Sequence, residues 1–314
     1  MNFNKSCLYT ALSFAFAHSA FAGQESETMT VWSSPASAAT TTVLGQETMQ
    51  QLDKQNVAQA LSVVPGVVLQ KSGNRNEQQV KVRGFDSRQV PVFFDGVPVY
   101  IPYDGNLDLG RFLTSDIASV EVSKGYSSLL QGPNQMGGAI NITTQKPTKP
   151  IEGSIGYRQG WSRSKDNAHD MHASFGASND LGYIQLSGSQ LKQDFLGLPH
   201  GVDNPIAGSN GKMINSSADD KRGIVKLGFT PRGNDEYVLT YINQDGEKDN
   251  PPYAGTSSQK SRYWQWPQYD KESYYYQGTT HLGDRFTLKS RLYRDTFENT
   301  LMMYNSLADL KNKK

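Results

Sequence analysis

The residues that could carry chemistry are few. His169 and His172 stand three apart, and their neighbours alternate polar and apolar as a strand does. On a strand, positions i and i+3 point to opposite faces, so the pair cannot close on one metal ion. Gly211-Lys212 lacks the upstream glycine and the following Ser or Thr of a phosphate-binding loop. No G-x-S-x-G nucleophile elbow occurs. Glu247, Asp249 and Asp270 lie in a polar stretch that reads as a solvated face. The one cysteine, Cys7, falls in a segment expected to be removed, so neither a disulfide nor a thiolate metal site is expected. The net charge of +1 gives no reason to expect a nucleic-acid partner. The reading is of a non-enzyme, with no catalytic residue, metal or cofactor.

The elements around these residues are more telling. Lys5, the apolar or small run Leu8 to Ala17, and Ala20-Phe21-Ala22 read as a secretory signal, residues 1–22, that is cut before Gly23. That run is too short to cross ~30 Å of hydrocarbon, and no later window holds the ~20 apolar residues of a membrane helix. A membrane location then requires a closed β-barrel. Residues 23–42 form a polar, flexible segment rich in Ser, Thr and Ala. Within it Glu27-Thr28-Met29-Thr30-Val31 alternates polar and apolar, as an extended peptide that adds to a partner's sheet edge would.

Residues 43–150 read as a small α+β domain. Val57, Ala60, Leu61 and Val64 mark one helix face behind an Asn56 N-cap, and Pro65-Gly66 ends it. Short β-type runs follow at 67–70, 79–82, 92–94, 97–100, 119–123 and 139–143, punctuated by glycines. Asp95-Gly96 suits a hairpin turn. Arg83, at the end of an apolar strand, is expected to pair with a carboxylate. Five segments in order carry a resemblance: Val64-Pro65-Gly66-Val67, Val82-Arg83-Gly84-Phe85, Phe94-Asp95-Gly96-Val97-Pro98, Ile117 to Gly125 (IASVEVSKG) and Gly137 to Thr144 (GGAINITT), with Gly138 second in the last. Together they resemble the plug domain of TonB-dependent outer-membrane receptors, over nearly all of residues 23–150. One departure from that pattern is Ser-Lys before Gly125, where the family usually has Leu-Arg. Lysine has no bidentate fork, so the pattern does not by itself carry a plug-to-barrel ion pair over to Lys124.

Residues 151–314 alternate with period two. Ile151, Ile155 and Tyr157, then Met171, Ala173 and Phe175, then Ile184 and Leu186, then Val225, Leu227 and Phe229 each oppose polar neighbours. The run Tyr237 to Ile242 is more mixed. Apolar-out, polar-in strands suit a barrel with a wet interior. Short turns at 179–180, 232–235 and 283–284 alternate with long polar stretches at 162–169, 192–221 and 246–271, as in outer-membrane barrels. The fold class expected is an α+β plug followed by antiparallel transmembrane barrel strands, about seven of the ~22 that plugged transporters use. At ~10 residues a strand, residues 151–314 are too short for the rest, so a C-terminally truncated receptor is expected.

The resemblance implies export by the Sec route and an outer-membrane location. It implies pairing of a TonB box, Glu27 to Val31, with the periplasmic domain of TonB, contact with outer-membrane lipid, and uptake of a scarce small molecule such as a ferric siderophore. By the same resemblance the loops around Arg88 and Tyr103 face outward. Trp264 and Trp266, in a cluster with Tyr263, Tyr269 and Tyr274 to Tyr276, read either as an interfacial girdle or as a ligand-stacking surface. Two other readings stand beside transport: a non-functional remnant of a disrupted receptor, and a soluble periplasmic β-rich binding protein.

Overall fold

In the computed structural model, residues 41–72, 76–99, 107–125, 135–232, 234–255, 260–283 and 285–312 are described. The signal segment, the stretch Glu27 to Val31 and Tyr103 lie outside them. Strand β1 (Thr41–Gly45) opens the first domain, so Thr41 and Thr42, read as flexible segment, sit in a strand. Helix α1 (Gln46–Gln51) and helix α2 (Val57–Leu61) follow. The Asn56 side chain accepts a hydrogen bond from the Gln59 amide at 2.9 Å, as the N-cap reading requires. Val57, Ala58, Ala60 and Leu61 are all fully buried.

Strands β2 (Val67–Ser72) and β3 (Glu77–Val82) form a hairpin. Strands β4 (Val92–Phe94), β5 (Val97–Pro98), β6 (Ile117–Lys124) and β7 (Gly138–Thr144) join β1 in a mixed sheet of order β1-β6-β7-β4-β5. Its strands are too short to pair without close turns. Asp95 and Gly96 take φ of 49° and 75° between β4 and β5, the left-handed pair of a two-residue hairpin. Gly138 has φ of 121°, and a Cβ there would fall 1.9 Å from the Ser123 carbonyl oxygen, so only glycine lets β7 approach β6.

The second region is one antiparallel meander, here called the wall. Its strands are β8 (Ile151–Ser162), β9 (Lys165–Asn179), β10 (Gly182–Gln193), β13 (Ala218–Arg232), β14 (Asp235–Asn250), β15 (Tyr263–Leu282) and β16 (Phe286–Tyr304), paired in sequence order. A small hairpin, β11 (Gly208–Ser209) with β12 (Lys212–Met213), sits in the β10–β13 connection. A terminal helix, α3 (Leu307–Asn312), follows β16.

The three long connections are shorter than the sequence suggests. Residues 162–169 contract to a tight turn at Arg163 and Ser164, both at positive φ, because the polar residues beside it continue the strands. Likewise β10 reaches Gln193, β13 starts at Ala218, β14 reaches Asn250 and β15 starts at Tyr263. Glu247, Asp249 and Asp270 therefore lie on strands. Polarity marked those residues as loop only because that end of the wall is polar on both faces.

Residues facing each other across the strands form rows on the outer face. One row is Ile151, Ala177, Ile184, Leu227, Leu239, Tyr276 and Leu292. The apolar positions extend up to Trp161 on β8 but give way to Arg294 on β16. A belt that drifts across the rows in this way is what tilted strands produce. Four rows, two residues apart at about 3.4 Å each, span about 20 Å, close to the ~25 Å apolar band of a membrane barrel.

Candidate functional site: the plug face of the wall

The wall's inner face is not simply wet. It lies against the first domain, and Ile224, Ile242 and Tyr275 join the same buried cluster as Leu61, Val82, Phe94 and Ile140. This accounts for the mixed run at Tyr237 to Ile242. The inner face there is buried at Val238 and packs on the plug core through Ile242, while the outer face carries the exposed belt residue Leu239, so both faces are apolar and alternation of polarity is lost. Around those apolar residues the inner face of β13 carries charges at alternate positions on either side of Ile224, namely Asp220, Arg222 and Lys226.

Four ion pairs join these charges to the first domain. Lys226 Nζ lies 3.1 Å from Asp95, whose carboxylate also accepts from the Thr144 amide at 2.8 Å and the Thr144 hydroxyl at 2.6 Å. Arg222 forks onto Asp116, with Nε 2.6 Å from Oδ2 and Nη2 on Oδ1, and donates to the Leu113 carbonyl. Arg111, reversing the polarity, reaches Asp220 at 2.8 Å and stacks 4.3 Å over the Tyr269 ring. That contact is ionic only, since no hydrogen bond satisfies the Arg111 nitrogens among the described residues. Lys248 donates to Asp108 at 2.6 Å and to the Asn76 carbonyl at 3.0 Å. Six of these eight residues are buried, and the side chains of the other two, Lys248 and Asp95, are only 9% and 7% exposed.

Backbone carbonyls complete the interface. Gln277 donates to the Asp95 carbonyl, Arg291 to that of Gly96, and Gln244 to that of Arg111 at 3.1 Å. The β4–β5 turn is thus gripped at its carboxylate and at both of its carbonyls. Burying charges is costly unless each is paired and hydrogen-bonded. The two regions therefore fix each other's register at specific residues. Farther along, Arg158 of β8 reaches Asp53 at 3.1 Å and Asp170 at 3.4 Å, while His172 Nδ1 lies 3.3 Å from Asp170.

The residues singled out from the sequence fall in several places. Arg83 is the one the structure corrects. Its guanidinium donates to the Lys124 carbonyl at 3.4 Å, and among the described residues it meets no carboxylate. It sits at positive φ in a turn, which swings it off the strand into an exposed position. Lys124 binds within its own domain, donating to Thr42 Oγ1 at 2.9 Å and the Pro65 carbonyl at 3.1 Å. Gly66, Gly84 and Gly125 hold positive-φ turns, and Gly137 packs on Phe85. Arg88 is exposed and pairs with Asp86 at 3.2 Å. Burial opposes ionisation of Asp86, but hydrogen bonds and charge from Arg88 outweigh it and hold the carboxyl below its usual value.

The aromatic cluster divides between the two faces. Trp266 pairs with Lys248 and Trp264 with Asn250, so both tryptophans face inward, whereas Tyr274 and Tyr276 face out. An extra residue in β15 near Pro267 flips the parity between them. Trp266 is buried with Lys248 Nζ 5.3 Å from its ring centre, and Trp264 stacks under Arg262 at 4.4 Å. Sequence reading missed Asp108, Asp116, Asp220 and Arg222. The period-two charges of β13 were the available signal, obscured because residues up to Lys221 read as loop.

A small α+β domain held by buried ion pairs against an antiparallel wall, with an apolar belt outside, is the architecture of a plug domain seated on β-barrel strands. Residues 35–139 match the TonB-dependent Receptor Plug Domain family. The chain is 27% identical over 172 residues to the vitamin B12 transporter BtuB of Vibrio vulnificus, covering 53% of this chain and 28% of that protein. Its fold is similar to the copper transporter OprC, with a TM-score of 0.64 at 18% identity, over 85% of this chain and 38% of that one. The siderophore receptor PirA from Acinetobacter baumannii gives a TM-score of 0.60 at 19% identity, over 82% and 39%. The chain thus spans well under half the length of each.

Proposed function

We propose that this chain supplies the plug and the first wall strands of a receptor for energy-coupled uptake of a scarce nutrient, a ferric siderophore first among the candidates. The observation that carries the reading is the set of plug-to-wall ion pairs. Separating buried ion pairs is costly, so unseating the plug calls for an energy input of the kind that TonB coupling supplies. Glu27 to Val31 is the TonB box in this reading and adds as a strand to the periplasmic domain of TonB. It lies just upstream of β1, which among the described strands is an edge strand paired with β6, so tension on the box reaches that strand first. Resemblance to a siderophore receptor supports the ligand class. Arg88, Tyr103, Trp264 and Trp266 are the proposed ligand-facing residues, with Trp264 more accessible than the buried Trp266.

The test has two arms. Immobilised TonB periplasmic domain is expected to retain the protein and to lose it when residues 27–31 are deleted. Retention after that deletion would remove the box assignment. Tryptophan fluorescence titrated with a ferric siderophore, with cobalamin and with a copper salt then separates the ligand classes. Quenching by cobalamin or copper alone would overturn the siderophore reading and leave the TonB arm intact.

A further inference from the structure

The outer face of the wall contains a recess of about 550 Å³ that the plug-to-wall site does not use. Its volume lies within the ~300–1,000 Å³ typical of small-molecule sites. Gly188 of β10 and Gly223 of β13 form its floor and stand directly opposite each other. A Cβ on either glycine would meet nothing within 4 Å, and neither has a positive φ. Neither crowding nor backbone conformation therefore requires glycine at these two places. Glycine weakens a strand, and inside one it often marks where a ligand approaches closely.

The rows around the floor define what could fill it. The floor row runs Ile155, Ala173, Gly188, Gly223 and Asn243. The row nearer the short turns contains Phe175, Leu186 and Val225, exposed members of the apolar belt. The row on the other side runs from Tyr157 and Met171 to Gln190, Lys221 and Asp245. The recess therefore straddles the line where the belt ends and polar side chains begin. Its apolar half is continuous with the surface that faces membrane hydrocarbon. At its polar rim the Lys221 side chain is more than half exposed, with Asp219 only at 3.7 Å. Asp245 accepts a hydrogen bond from Asn243 at 3.1 Å.

We infer that this recess seats an acyl chain of an outer-membrane lipid whose phosphate-bearing head meets Lys221, since Gln190 and Asn243 already donate to Asp219 and Asp245. The chain lies over Gly188 and Gly223, where any larger residue would displace it. The polar rim is at the end of the long connections, which is the external side in barrels of this kind. The bound lipid therefore belongs to the outer leaflet. It is distinct from the transported ligand, which concerns the inner face.

Filling the recess tests the assignment. Because the added atoms point into open space, Gly188→Leu and Gly223→Leu should assemble normally, and either is sufficient. The receptor is extracted from outer membranes in mild detergent and its native mass spectrum is recorded beside that of Ala177→Leu, a belt position outside the recess. Wild type and Ala177→Leu are expected to retain an adduct of lipid mass, and both glycine variants to lose it. Lys221→Ala is expected to retain less of the adduct than wild type, with the loss greatest for phosphate-bearing lipids. A wild-type spectrum without the adduct, or equal adducts in wild type and the glycine variants, overturns the inference.

Discussion

The plug and the wall bury opposite kinds of residue. The plug packs valine, isoleucine and leucine inward in the ordinary way, around α2 and the central strands β6 and β7. The wall turns its apolar residues outward and gathers Asp220, Arg222, Lys226 and Lys248 on its concealed side. Neither arrangement is complete alone. Without the plug, four wall charges lose their counter-charges. Without the wall, Asp95, Asp108 and Asp116 would face water, and the plug core would lack Ile224, Ile242 and Tyr275. The contrast implies that the plug's fold rests on apolar packing, while its seating rests on polar matching.

The sharpest way to break this comparison is at Arg222. Arg222→Ala leaves the Asp116 carboxylate buried and unpaired, and breaking such a pair costs about 3–5 kcal/mol. Pairing Arg222→Met with Asp116→Leu removes both charges and should recover most of that loss. Limited proteolysis of the plug together with urea denaturation would measure both variants. Equal destabilisation by the single and double variants would show that the pair does not hold the plug.

Adjacent residues on β13 test the two faces of the wall. Lys226 points to Asp95 and Leu227 to lipid. Leu227→Lys places a charge on the belt, at an expected cost of about 2–4 kcal/mol near the bilayer midplane. Lys226→Met should leave membrane insertion unchanged and loosen the β4–β5 turn instead. Folding into lipid vesicles, followed by amide exchange at residues 95–97, distinguishes the two outcomes. Within the plug, Asn56→Ala should cost about 1 kcal/mol through the lost cap of α2. Thermal unfolding would detect that change without any effect on wall strands.

How much of this was legible in the sequence follows from which contacts are local. The Asn56 cap, the Asp95-Gly96 hairpin and the alternation of Val225, Leu227 and Phe229 depend on neighbours a few residues away, and each is where its spacing predicts. The seating is not local. Asp116 and Arg222 are 106 residues apart, and Lys248 and Asp108 are 140 apart. No periodicity links such positions. The strand ends were misplaced for a related reason. Rows beyond the membrane are polar on both faces, so Lys192, Asp219 and Glu247 looked like loop. The parity of Trp264 and Trp266 turned on a single extra residue near Pro267, which pattern counting across β15 passes over. Arg83 misled because an arginine after an apolar strand commonly seeks a carboxylate, whereas here a left-handed turn carries it to a carbonyl.

The smallest expected effect concerns a plug charge with no ion pair among the described residues. Glu121 lies on β6 between Val43 of β1 and Asn141 of β7. Burial raises its carboxyl above the usual value. A group whose folded value is raised contributes stability that is fully present below the unfolded value and is lost as pH rises through the folded one. At neutral pH the ionised Glu121 therefore works against the sheet that holds β1. Glu121→Gln should unfold at a slightly higher temperature than wild type at neutral pH, and the difference should close as the pH falls below the carboxylate range. If the proposed TonB box pulls through β1, the same variant should also slow amide exchange along Thr41–Gly45 at neutral pH. A pH-independent difference, or a less stable variant, would mean that Glu121 is held by its surroundings as the wall charges are, and the contrast between a plug folded by apolar packing and a plug seated by charge would fail at that residue.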